Sequence, residues 1–206
     1  MRAFSRYSKR GFTLVELMIV VAIIGVLAAL AIFGVNRYLK SAKTSEAKNA
    51  IGRMSRAASE AYDREFAKSE LLALGSSSTT ATHDLCDSAT TVPASIASVK
   101  GTKYQPKNDA TNDFGAGSAT AGWKCLRFVM DDPIYYQYSY SKNAAPVTAL
   151  AGGTAPSQTL YYEAAATGDL DGDGTEFGYF VLNGQVDNTT KQMVRATQVL
   201  LANEFE

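Results

Sequence analysis

The stretch KRGFTLVELMIVVAIIGVLAAL, residues 9–30, decides the fold of this 206-residue chain. Two cations and a glycine lead into an apolar run in which a single carboxylate, Glu16, is embedded. Beyond it, residues 17–35 form nineteen consecutive positions without a charge. At about 1.5 Å per residue, such a helix nearly spans a ~30 Å hydrocarbon core. Arg2, Arg6, Lys9 and Arg10 precede the run with no acid among them. The positive-inside tendency therefore keeps residues 1–10 cytoplasmic and places everything after Val35 across the membrane. A carboxylate in the apolar region costs about 2.5–3.5 kcal/mol on insertion scales unless it is paired or lies near an interface, so Glu16 reads as functional and in need of a positive partner. A secretory signal cut after AALA, residues 28–31, is the competing reading. Against it, the run is longer than a usual signal core and continues, without proline or a turn signal, into a helical pattern reaching about Leu74.

That continuation is amphipathic. Leu39, Ala42, Ala50, Ile51, Met54, Ala58, Ala61, Tyr62 and Phe66 recur at three- and four-residue spacings, the stripe by which a helix packs on a folded head. Its exposed face is basic, with eight Lys and Arg against Glu46, Glu60, Asp63 and Glu65, whereas residues 69–206 hold 15 acids against 8 bases. The split suits an acidic head meeting a basic helix of another copy, although an ordinary solvated helix face explains it equally well. Without its first ten residues the chain is mildly acidic, 16 bases to 20 acids, and gives no reason to expect nucleic-acid binding.

GSSSTTAT, residues 75–82, signals the end of the helix. Residues 83–122 lack firm periodicity and read mostly as loop. Strand patterns follow at residues 124–130, 134–141, 160–166, 176–182 and, more weakly, 192–201. Four or five antiparallel strands with one face on the amphipathic helix make an α+β chain. Tyr136, Tyr138 and Tyr140 alternate onto one strand face and Tyr135 onto the other. The lone His83 sits in a polar stretch and reads as exposed.

Two cysteines, Cys86 and Cys125, lie in the exported part, where an oxidising compartment favours a disulfide. It would close a ring of about 40 residues and, by loop entropy, contribute about 4 kcal/mol. The second motif is GDLDGDGTE, residues 168–176, in which Asp169, Asp171 and Asp173 alternate ahead of Gly174 as in the first half of a calcium loop. Its twelfth position is Phe180 rather than a bidentate Glu, so Glu176, Glu163 or backbone carbonyls would have to complete a structural Ca²⁺ shell. A solvated Asp-Gly turn between two strands is the competing reading. One His, no G-x-S-x-G, no H-E-x-x-H and no phosphate-cradling loop leave the catalytic inventory nearly empty, so no enzyme and no required cofactor are expected.

Lys9-Arg10-Gly11-Phe12-Thr13-Leu14-Val15-Glu16, followed by LMIVVAIIGVLAALAI, closely resembles the class III signal of type IV pilins and the related pseudopilins. The resemblance covers about residues 9–32. It implies that a prepilin peptidase cuts between Gly11 and Phe12 and methylates the new amine of Phe12. It also implies that Glu16 pairs with the Phe12 amine of a neighbouring subunit and so sets the register of assembly. Relatives commonly carry proline where this chain has Phe33, which implies a straighter helix here.

The implied organisation is a leader at residues 1–11, a membrane and assembly segment at 12–35, an amphipathic helix half at 36–74 and a head at 75–206. The implied partners are identical or homologous subunits, the prepilin peptidase, and an inner-membrane platform with its assembly ATPase. The implied location is the inner membrane before assembly, and a surface pilus or a periplasmic pseudopilus after it. The mature length of 195 residues (206 less 11) favours a pilus subunit over a short pseudopilin of type II secretion. The reading from a different class is a periplasmic binding or enzymatic domain on an uncleaved anchor, which leaves the position of Glu16 unexplained.

Overall fold

The structure, a computed structural model, describes residues 11–64, 74–75 and 83–206. The leader residues 1–10, together with Glu65, Phe66, Lys68 and most of the 75–82 turn signal, lie outside the described residues. The chain divides into two units, Met1–Ser41 and Ala42–Glu206.

Helix α1 runs unbroken over Leu14–Asp63. Within the first unit, Phe33 and Gly34 interrupt nothing, as the absence of proline implies. This part of α1 is long and apolar enough to cross a membrane, and its large side chains, among them Leu17, Ile24, Leu27 and Phe33, are exposed.

In the second unit α1 buries Thr44, Ala47, Ala50, Ile51, Met54, Ser55, Ala58, Ala61 and Tyr62. Leu39 and Ala42 of the expected stripe are exposed instead. The alanines bring the helix close to the sheet, and Ser55 adds a polar tie, its Oγ lying 2.7 Å from the Tyr162 hydroxyl. The Tyr162 hydroxyl also lies 3.2 Å from the Ser55 carbonyl, which can only accept.

Helix α1 is described to Asp63, with Arg64 in a bend; residues 65–73, over which the expected helical pattern runs on to about Leu74, lie outside the described residues. Its closing turn is held by side chains that the periodicity does not reveal. Arg64 reaches the Cys125 carbonyl at 2.6 Å, and the His83 ring lies 3.0 Å from the Tyr62 carbonyl. A carbonyl only accepts, so His83 Nδ1 carries the proton and caps an orphan C-terminal carbonyl. His83 is exposed, as expected, but not idle.

The sheet is antiparallel, β1 (Gln137–Lys142), β2 (Leu160–Gly168), β3 (Gly178–Val186) and β4 (Met193–Arg195) in that order, with β5 (Leu200–Ala202) also paired to β3. This is the α+β arrangement read from the sequence. The single weak strand expected at 192–201 is two short ones, because the chain bends at Thr197 and Gln198 and pairs with β3 again only from Leu200. Tyr136, Tyr138 and Tyr140 are buried, and Tyr135 is half-buried, its ring approached by the ammonium groups of Lys43 and Lys103.

The first expected strand, 124–130, is not one. Helix α2 (Gly122–Leu126) stands there, entered through Gly122 at φ 72° and closed by Arg127 in the left-handed region. Burial of Trp123 against Phe114 and Phe128, and the Cys125 bond, take precedence over the alternating pattern. A further short helix, α3 (Pro146–Leu150), starts with proline in its first turn, a favoured place for it. Residues 83–121 are irregular apart from two 3-10 turns, Ile96–Val99 and Asp113–Gly115, and isolated bridges to the sheet region such as Val92 with Tyr138.

Candidate assembly site

Thr13-Leu14-Val15-Glu16 forms a capping box. The Thr13 hydroxyl accepts the Glu16 N–H at 3.2 Å, and Glu16 Oε2 accepts both the Thr13 N–H and the Thr13 hydroxyl at 2.8 Å. Two of the otherwise unmatched N–H groups at the start of α1 are thereby satisfied, and the carboxylate sits at the positive end of the helix dipole. The T-x-x-E spacing was legible in the sequence, yet the reading of Glu16 as a charge awaiting a partner passed over it. Both hydrogen bonds fall on Oε2, and the Glu16 side chain is exposed. Phe12, the residue immediately before the box, is 85% exposed. A side chain added at Gly11 would meet nothing within 4 Å among the described residues, and its backbone is not in the left-handed region. Nothing in the described structure requires glycine there.

Cys86 and Cys125 are disulfide-bonded and buried. The bridge joins the irregular segment to α2 rather than to a first strand, because residues 124–130 are not extended. Glu163, considered as a calcium ligand, is committed elsewhere. It is buried on β2, where Oε1 accepts the Val147 N–H at 3.1 Å and Oε2 the Thr148 N–H at 2.6 Å, capping α3.

The turn between β2 and β3 brings together Asp169, Asp171 and Asp173, each offering an oxygen within 4.8 Å of the others. Glu176 is exposed and is not part of that group. The turn carries its own hydrogen bonds, from Gly172 N–H to Asp169 Oδ1 at 2.7 Å and from Thr175 N–H to Asp173 Oδ1 at 2.7 Å. The bonds from Thr175 hold the Asp173 carboxyl below the usual range.

The family model described as "Prokaryotic N-terminal methylation motif" matches residues 6–32. The Fimbrial protein EcpC of Eikenella corrodens is 50% identical over 54 residues, covering 26% of this chain and 35% of that protein. The Type IV major pilin protein PilA of Myxococcus xanthus is 64% identical over 39 residues, 19% of this chain and 18% of its own length. A Type IV major fimbrial protein FimA of Dichelobacter nodosus is 60% identical over 38 residues, 18% and 24% respectively. The matched segment thus spans about a third or less of the length of these relatives. No solved structure matches the chain significantly. The methylation motif and the long apolar N-terminal helix point the same way: in its N-terminal segment the chain is similar to type IV pilins and fimbrial proteins.

Proposed function

We propose that the chain is the structural subunit of a type IV pilus-like filament, cut between Gly11 and Phe12 by a prepilin peptidase, methylated on the Phe12 amine, and polymerised through the apolar half of α1. The observation that carries this reading is Glu16. Its exposed carboxylate is held by Thr13 through Oε2 at the very start of a membrane-length helix, which leaves its second oxygen to accept the Phe12 amine of a neighbouring subunit. Pairing would neutralise both charges as the helix leaves the lipid, and it is available only in the correct axial register. The exposed apolar surface of residues 14–35 then moves from lipid to helix-helix contact. The relatives named as major pilins and fimbrial proteins support the same role. The platform protein and its ATPase supply extraction from the inner membrane, and the head needs no catalytic group.

Gly11 separates processing from folding. Because a side chain at Gly11 meets no neighbour within 4 Å, Gly11→Val is expected to leave folding and membrane insertion intact. A glycine required only by the peptidase would still be missed: the variant keeps its leader, stays in the membrane and is lost from filaments. Intact-mass measurement of the membrane fraction reads the outcome, and cleavage of Gly11→Val at the wild-type rate would overturn processing at this bond.

A further inference from the structure

Three carboxylates on one short turn repel one another, and one of them is out of reach of water. The Asp169 side chain is 0% exposed. Its Oδ1 accepts the Gly172 N–H, but its buried Oδ2 has no hydrogen-bond partner. A buried acceptor left unmatched is costly, and more so when it is charged, so the group calls for a cation.

We propose that the Asp169, Asp171 and Asp173 turn binds calcium, with Lys100 as the internal counter-cation that the ion displaces. The donor set is all oxygen, which suits a hard cation. Ligands at 2.3–2.6 Å lie up to about 5 Å apart across a Ca²⁺ ion but only about 4 Å apart across Mg²⁺. Asp171 and Asp173 are exposed and can turn toward the ion, and waters can complete the shell. The bidentate glutamate of a full calcium loop is absent, since its place belongs to Phe180, buried edge-on against Tyr136. Affinity is accordingly in the extracellular-module range, Kd about 10⁻⁴–10⁻³ M.

Lys100 belongs to this site by backbone as well as by charge. Lys100 pairs with Asp169 in a parallel bridge, and the Gly101 N–H donates to the Asp169 carbonyl at 2.8 Å. The lysine chain crosses directly over Gly174, its Nζ lying against the place a Cβ there would take. The turn thus keeps a lysine ammonium in its vicinity, over Gly174, and a divalent ion in contact with the carboxylates takes over that role at higher charge density. Calcium would then tie the segment around Ile96–Val99 to the β2–β3 turn. The inference is independent of the filament reading.

The test is calorimetric titration of the full-length protein in detergent with CaCl₂, with MgCl₂ as the comparison. Expected are a single site with Kd of about 10⁻⁴–10⁻³ M, at least about tenfold weaker binding in Asp171→Asn, where one charged ligand is lost, and several-fold tighter binding in Lys100→Met. Asp171 is exposed, so that variant should fold, and a circular dichroism spectrum verifies it. Absence of saturable binding up to about 10 mM, ten times the weak end of the range, would leave a plain Asp-Gly turn. Equal binding in Asp171→Asn would put the ion elsewhere, and an unchanged Kd in Lys100→Met would remove the lysine from the site.

Discussion

Replacing Glu16 by alanine is expected to leave cleavage at Gly11–Phe12 intact and to reduce filaments recovered from the cell surface at least about tenfold. Hydrogen bonds to a charged group are worth about 1.5–3 kcal/mol each, and 1.4 kcal/mol per added subunit is already a factor of ten in its equilibrium. The structure makes a sharper form of the experiment available. Glu16 serves two roles, capping α1 through Thr13 and presenting a negative charge. Glutamine preserves the capping box but not the charge. If charge pairing with a neighbouring amine sets the register, Glu16→Gln fails as completely as Glu16→Ala. If Glu16→Gln assembles normally, the residue acts only as a helix cap and the pairing account is wrong. Immunoblots of sheared and membrane fractions separate assembly from processing in both variants.

The second large effect is expected in the head. Glu163→Leu removes both acceptors from the Val147 and Thr148 N–H groups in a buried position. Two charge-assisted hydrogen bonds sum to about 3–6 kcal/mol. For a chain of this size each kcal/mol shifts the melting temperature by about 2–4 °C, so a fall of about 6 °C or more is expected by differential scanning calorimetry. Glu163→Gln keeps one acceptor but points an amide donor at the other N–H, and its loss should be intermediate. A melting temperature within a degree of wild type for Glu163→Leu would mean that α3 does not depend on this cap.

What was legible in the sequence follows the strength of each local signal. The apolar run, the helical stripe through Ile51, Met54 and Ala58, and the tyrosine alternation on β1 are long periodic patterns, and periodicity reports directly on a buried face. Residues 124–130 read as a strand because Leu126, Phe128, Val129 and Met130 make a short apolar run with an aromatic and a β-branched residue. Their conformation is set by a disulfide and by the Trp123, Phe114 and Phe128 cluster, contacts that link distant parts of the chain and leave no local period. Helix α3 escaped for a similar reason, since five residues are too few for periodicity and its cap comes from a strand 15 positions away.

At the site, the chemistry of Glu16 was evident from its cost in lipid, while the Thr13 partner that meets part of that cost was overlooked in favour of a remote one. Among the acidic residues of the β2–β3 turn, alternation identified the group but could not distinguish Asp169, buried with an unmatched oxygen, from its exposed neighbours. Burial of that kind depends on Gly101 and Lys100, some seventy positions earlier, docking against the turn.

The account stands or falls on the state of the N-terminus in assembled material. Mass spectrometry of protein sheared from the cell surface should find chains that begin at Phe12 and carry a methyl group on its amine. Chains still beginning at Met1, recovered only with membranes, would contradict it and return the protein to a membrane-anchored head whose role lies elsewhere.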